Sequence, residues 1–183
     1  MNRAELINVL KKVRNIKMHE NIDIVCINNN RDLIEEGISF DDEHTCFHSY
    51  NTLEDMITSL MVSNATYGIF YKGEYIGIVS VFYHHYKDLS RLELGISIKK
   101  EYRNSGIGKF CYDNIINAYF KDKSIKSIHL SIREDNIKSR MLAERCGFKL
   151  YNGYKCDKYF KDLKGNKFSQ VQYLLKKKDY IKK

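Results

Sequence analysis

The chain has no proline and no tryptophan in its 183 residues. Its turns must therefore rest on glycine, asparagine and aspartate, and none can use a ring-locked φ. No stretch approaches the roughly eighteen consecutive apolar residues of a membrane span, which excludes a transmembrane helix. Cysteines are few and odd in number: Cys26, Cys46, Cys111, Cys146 and Cys156, with no C-x-x-C spacing. That pattern argues against zinc and against a disulfide framework, and fits free thiols in a reducing cytoplasm. Hydrophobic residues are not lacking, at 43% beside 30% charged, so the chain can bury a core and is not a disordered tail. No repeat and no Pro/Gly/Ser-rich linker interrupts it. One α/β domain over 1–183 is expected, with a core over 21–176 and a solvated basic tail over 177–183.

What is present is positive charge. Lys and Arg number 31 against 23 Asp and Glu, a net charge of +8. Such a surface attracts RNA, a ribosome or an anionic cofactor. The lysines are scattered, however, and the abundance of Lys, Asn, Ile and Tyr equally fits an A/T-rich coding sequence. Over 4–16, Leu6, Ile7, Leu10 and Val13 recur at helical spacing with Arg3, Lys11, Lys12 and Arg14 among them. This predicts an amphipathic N-terminal helix packed on the domain, within 1–20. Glu5 and Glu20 argue against a mitochondrial presequence.

Residues 21–27 read as a strand, followed by a short helix that Gly37 should stop. Thr52 reads as the cap of a second helix striped by Leu53, Met56, Ile57 and Leu60. Residues 67–71 and 75–83 form a predicted hairpin around Lys72-Gly73-Glu74. Residues 91–98 alternate, with Leu92, Leu94, Ile96 and Ile98 on one face and Glu93, Gly95 and Ser97 on the other. A glycine-containing turn leads to a helix carrying Ile107, Phe110, Cys111, Ile115 and Ala118. A strand at 125–132, a helix at 136–145 ended by Gly147, and two β-rich runs turning at Gly165 complete the reading.

The chemical signal lies between that alternating strand and its helix, in Arg103-Asn104-Ser105-Gly106-Ile107-Gly108-Lys109. Glycines let the backbone approach a ligand, and a helix opened this way points unpaired N–H groups at phosphate oxygens. A Rossmann fingerprint would need glycine where Cys111 stands, and a Walker loop would need Ser or Thr in place of Phe110. The anion is therefore neither a dinucleotide nor a nucleotide γ-phosphate.

In this context Arg-x-x-Gly-x-Gly resembles the coenzyme A pyrophosphate loop of the GNAT acetyltransferase superfamily. The downstream strand, the helix begun by Asn136 and the closing Gly147-Phe148 resemble that family's second signature. The Asn136-x-x-Ser139 variant is most similar to the Rim-type branch, known for acetylating ribosomal-protein N-termini. The resemblance implies a mixed, mostly antiparallel central sheet flanked by helices. It implies acetyl-CoA as co-substrate, with no metal, and transfer of the acetyl group to an amine by direct attack on the thioester. The sheet should splay beyond a bulge in the 91–98 strand, where pantetheine bonds to backbone near Ile96 and Ile98. Residues 103–109 should wrap the pyrophosphate, and Asn136 should hold the pantetheine arm or simply cap its helix. A proline often precedes the loop in relatives, where Lys100 stands here.

Glu93 is the candidate base, because the family's splayed strand commonly carries an acid facing the cleft. Its alternative is an ion pair with Arg91 or a lysine. Many relatives protonate the departing thiolate with a tyrosine where this chain has Ala143. Ser139 matches the serine proposed for that role in Rim-type relatives, and is otherwise an ordinary first-turn residue. Tyr151 and Tyr154 are further candidates. The missing tyrosine also keeps open a non-catalytic coenzyme A-binding module. The expected acceptor is a protein N-terminus or a small-molecule amine, in the cytoplasm and away from membranes. Ribosome or RNA contact and a homodimer stay open as partners. His84-His85 lines an acceptor pocket or merely ends a strand. The group His44, His48, Asp41, Asp42 and Glu43 lacks the helix-spaced pair or cysteine that a metal site would use.

Overall fold

The computed structural model describes residues 15–19, 21–40, 52–62, 65–83, 91–151, 160–161 and 166–180. In chain order these form β1 (Asn15–His19), β2 (Ile22–Cys26), α1 (Arg31–Ser39), α2 (Leu53–Val62), β3 (Ala65–Tyr71), β4 (Glu74–Tyr83) and β5 (Arg91–Ile98). A 3-10 turn (Lys100–Tyr102) leads to α3 (Ile107–Phe120), β6 (Ser127–Arg133), α4 (Ile137–Arg145) and β7 (Lys149–Leu150). Then come β8 (Phe160–Lys161), β9 (Lys167–Phe168), β10 (Gln170–Lys176) and α5 (Lys177–Tyr180). Eight strands make one sheet in the order β1-β2-β3-β4-β5-β6-β10-β7, while β8 and β9 pair separately.

The expected hairpin forms. Lys72 and Gly73 both take positive φ, 51° and 84°, the two-residue turn whose twist matches that of its strands. Every neighbouring pair in the large sheet is antiparallel except β5–β6. That parallel pair is short, matching Arg91 with Ser127, Leu92 with Ile128 and Glu93 with His129. Beyond Glu93 the two strands have no further partners in each other, so the sheet forks. The fork does not need the expected bulge in β5, whose register with β4 runs unbroken from Leu92 to Ile98. The irregularity lies instead between β3 and β4, after Ile69.

Alternation along the strands makes two cores. Val79, Val81, Leu92, Leu94, Ile128 and Leu130 pack with Ile107, Cys111, Ile115 and Tyr119 of α3. Ile78 projects to the opposite face, Tyr75 joins it there because the β3–β4 register shifts between them, and both pack with Ile34 and Ile38 of α1 and Ile57 and Leu60 of α2. Helices thus cover both faces, as the sequence implied. The capping chemistry also holds: Asn30 Oδ1 accepts from Leu33 N at 3.1 Å, and Thr52 Oγ1 from Asp55 N at 3.1 Å. Gly147, at φ 90°, closes α4. Phe148 N donates to Ala143 O and Gly147 N to Glu144 O, the paired bonds of a left-handed helix stop. No helix among the described residues is long and apolar enough to cross a membrane.

Three expectations need correcting. Residues 15–16, assigned to the N-terminal helix, belong to β1, with Ile16 opposite Ile24; residues 1–14 lie outside the described part. Residues 177–180 are not simply a solvated tail. They form α5, with Tyr180 stacked 5.4 Å from Phe120 and Lys177 Nζ donating to Asp122 O at 2.7 Å. Gly37 does not stop α1, which continues to Ser39.

Gly37 is instead buried where α1 presses on β4. A Cβ there would lie 2.8 Å from Ile78 Cβ and would also meet the Tyr75 hydroxyl. That hydroxyl donates to Leu33 O at 2.6 Å, so it cannot swing away without losing a bond. Gly37→Ala should therefore destabilise by about 1–3 kcal/mol despite alanine's better helix propensity. A melting temperature lowered by roughly 2–10 °C is expected, and an unchanged one would show that the α1–β4 contact is looser than described.

Candidate functional site

The fork is built by what β5 pairs with on each side. Residues 94–98 pair with β4 on one side and have no β6 partner on the other. A strand edge of this kind leaves backbone donors and acceptors for an extended ligand to pair with. Ser97 lies within it, and its Oγ is buried with no hydrogen-bond partner among the described residues. A buried hydroxyl normally finds a partner, so an unpaired one on this edge marks a place a polar ligand would complete.

At the far end of β5 the chain turns into α3. Asn104 and Gly106 take positive φ, 63° and 87°, bending the loop so that Gly106 becomes the helix cap. No side chain caps α3 and no acid stands in its first turn. The first backbone bond closes from Phe110 N to Gly106 O. The N–H groups of Ile107, Gly108 and Lys109 therefore have no acceptor within the helix, and with the macrodipole they favour an anion. Gly106 has nothing within 4 Å of a notional Cβ, so the space before the loop is open. Gly108 serves packing instead, since a Cβ there would meet Leu142 of α4 at 3.2 Å.

Two basic side chains in the loop are already engaged. Arg103 Nε donates to Ile98 O at 2.7 Å and its Nη2 to Phe40 O at 2.5 Å. Arg103 thus ties the loop to the end of β5 and to the end of α1. It also engages the carbonyl of Ile98, which with Ile96 is where pantetheine is expected to bond. Lys109 pairs with Asp113 one turn along the helix, and that hydrogen bond raises its pKa. Asn104 and Ser105 are exposed, and Ser105 Oγ donates to Tyr102 O at 2.6 Å. Before the loop, Tyr102 donates to Glu74 at 2.7 Å and holds that carboxyl below its ordinary range.

Across the fork, Asn136 Oδ1 accepts from Ser139 N at 3.1 Å and so caps α4. Ser139 is partly buried in the first turn. Ala143, at the position where a tyrosine was missed, is fully buried in the core with α3. Glu93 is partly exposed and stands in the last β5–β6 pair opposite His129. Parallel strands put such paired side chains on one face, so the two stand side by side at the apex.

Sequence reading gave His129 no role, although it stands in the strand of the second signature. It is buried, its Nε2 lies 3.4 Å from Ser127 Oγ, and its ring meets Tyr151 edge-on at 6.2 Å. Tyr151 is thereby brought to the apex. Tyr154, His84-His85 and the group at 41–48 fall outside the described residues. Cys111 is no nucleophile, since burial pushes its thiol up to about 12.

The order along β5 is therefore a carboxyl beside an imidazole at Glu93 and His129, an open edge, and a loop ending in unpaired helix N–H groups. From Glu93 to Ile98 the strand rises about 17 Å. These residues fit a ligand with an amide-bearing arm and a phosphate end.

A family model described as Acetyltransferase (GNAT) domain matches residues 28–149. No curated protein sequence matches significantly. Among solved structures, the ribosomal-protein α-N-acetyltransferase RimL in complex with coenzyme A superposes with TM-score 0.71 at 15% identity, over 89% of this chain and 98% of that one. The microcin self-immunity acetyltransferase MccE, in complex with acetyl-CoA and AMP, gives 0.65 at 19% identity over 86% and 93%. The spermidine N-acetyltransferase SpeG of Vibrio cholerae gives 0.69 at 13% identity over 89% and 98%. At these identities the likeness is one of fold.

If Arg103 shapes the loop, Arg103→Met should loosen it without unfolding the sheet. Each bond from a charged donor is worth about 1.5–3 kcal/mol. The hydrogen-bonded amides that bracket the loop, Arg103 and Phe110, should exchange with solvent at least tenfold faster, while those of β4 keep their protection. Unchanged exchange in the loop would count against this role.

Proposed function

The chain belongs to the GNAT acetyltransferase family, and we propose that it acetylates a primary amine at the β5–β6 fork, with Glu93 and His129 managing the amine's proton. One observation carries this reading: the β5–β6 ladder ends at the Glu93–His129 pair, at the head of the open edge. Acetyl-CoA supplies the activated acyl group when bound. The backbone N–H groups at the start of α3 hold its pyrophosphate, the loop kept in shape by Arg103 and capped by Gly106. The open edge around Ile96 receives the pantetheine arm as an added strand, and Asn136 closes the fork from the α4 side.

The chemistry needs a neutral amine. At pH 7 an alkyl ammonium with a pKa near 10.4 costs about 4.6 kcal/mol to deprotonate, and an α-ammonium near 7.8 costs about 1.1 kcal/mol. Glu93 accepts that proton, directly or through a water, with the His129 ring beside it. Ser139 or Tyr151 donates to the departing sulfur, a role that Ala143 cannot fill. The acceptor is a protein N-terminus or a small-molecule amine. A cytoplasmic setting is supported by the free thiols of Cys26, Cys111 and Cys146.

Acetyl-CoA should raise the melting temperature of the wild type by mass action on the folded state. Gly106→Trp places its ring in open space, so it should leave the fold intact apart from a strained φ while filling the anion site. Its thermal shift with acetyl-CoA should vanish, and an equal shift in both proteins would displace the pyrophosphate from this loop. Glu93→Gln keeps size but removes basicity, and should lower kcat/KM by roughly 10²–10⁴ at neutral pH. Acetyl-CoA affinity should hold. The deficit should shrink as pH rises and free amine becomes available unaided. Wild-type rates across that range would return Glu93 to an ion-pair role.

A further inference from the structure

The sheet places two rows of side chains across β5, β6 and β10. Glu93 pairs with His129, which pairs with Leu174; one step from the fork, Arg91 pairs with Ser127, which pairs with Lys176. Both rows lie on the same face, because each strand advances by two residues between them. The second row floors a groove of about 560 Å³ lined by Arg91, Lys126, Ser127, His129, Tyr151, Leu174 and Lys176, with Lys177 and Lys178 at its side. His129 and Tyr151 thus belong to the groove and to the apex together.

We infer that this groove receives an anionic group carried by the acceptor, so that the enzyme selects amines bearing a carboxylate or phosphate about 7 Å from the nitrogen. The inference rests on the acetyltransferase reading and names its substrate class. Five cationic residues line the groove. Lys126 Nζ and Lys177 Nζ donate to the carbonyls of Lys123 and Asp122, at 2.9 and 2.7 Å. A carbonyl positions an ammonium but does not neutralise it. No carboxylate within salt-bridge distance of Lys126, Lys176, Lys177 or Lys178 is found among the described residues. Among the described residues, the positive charge of these four lysines therefore meets no carboxylate over the groove.

The spacing fixes where the anion sits. One row is two residues of strand, about 7 Å. An amine at Glu93 and an acid at Arg91 and Lys176 match the first and third residues of an extended peptide. A phosphorylated small amine presents the same pair of groups. A polyamine does the opposite, bringing a second ammonium against Arg91 and Lys176, and like charges in such a site select against it.

The test measures binding apart from turnover. The probes are a C-terminally labelled peptide with a free N-terminus and acidic residues at positions two to four, and the same peptide with lysines there. Binding to the full chain with coenzyme A is followed by fluorescence anisotropy in low salt. The acidic peptide should bind at least tenfold more tightly, and its affinity should fall steeply with salt. Lys176→Ser/Lys178→Ser should remove the preference, while Lys176→Arg/Lys178→Arg restores it. Displacement by 3-aminopropyl phosphate, whose phosphate oxygens reach about 7 Å from its nitrogen, would assign the small-amine source, and resistance to it the acidic chain. Equal or tighter binding of the lysine peptide or of spermidine, or no effect of the double serine variant, would overturn the proposal. Loss of the acetyl-CoA thermal shift in the wild type would overturn the acetyltransferase reading alone, because peptide binding is read without it.

Discussion

Everything at the site depends on a parallel strand pair that stops early. β5 and β6 share only three matched residues, yet each is well held on its other side, β5 by β4 and β6 by β10. Because the outer ladders are long, the sheet tolerates an unpaired stretch in its middle. The fork thus exposes backbone donors and acceptors in the interior of a folded domain, where such groups are ordinarily satisfied. The Ser97 hydroxyl, with no hydrogen-bond partner among the described residues, is the side-chain counterpart of the same open edge.

The helices stabilise this arrangement and aim it. α3 buries its Ile107, Cys111, Ile115 and Tyr119 face against the sheet, and Tyr119 and Tyr67 share a buried hydroxyl bond of 2.8 Å. That packing fixes the axis of α3 and hence the direction of its uncapped N-terminus. Arg103 then locks the loop to β5 and α1 at once. A side chain that looks in sequence like an anion ligand instead donates to the protein's own carbonyls, and in the proposed reading the anion is held by backbone N–H groups. This division suits a pyrophosphate, because amides on a rigid helix need no reorganisation when the charge arrives.

Much of this was legible in the residues themselves. The clean alternation of 91–98, the Lys72-Gly73 turn, the Thr52 and Asn136 caps and the Gly147 stop are local signals, and local signals survive folding. The loop motif's strand–helix context was legible too, since the glycine spacing marks where β5 turns into α3. The errors share another cause. Gly37 reads as a helix stop in isolation, but its meaning comes from Tyr75 and Ile78, nearly forty residues on. Residues 15–16 carry a helical pattern, yet β2 offers an edge that takes them as strand. His129 lies in a signature strand but gains its interest only through its register with Glu93. The basic residues at 176–178 read as a tail until β10 and α5 carry them beside Arg91. Contacts across the sheet decide these cases, and periodicity cannot see them.

The central claim is that the open edge of β5 and the start of α3 form one continuous slot for acetyl-CoA. Hydrogen exchange followed by mass spectrometry, with and without acetyl-CoA, tests it most directly. Protection should rise in peptides covering residues 94–98 and 104–110 together, with little change in β1–β3 and in α2. Protection that appears in only one of the two segments, or elsewhere in the chain, would contradict the slot.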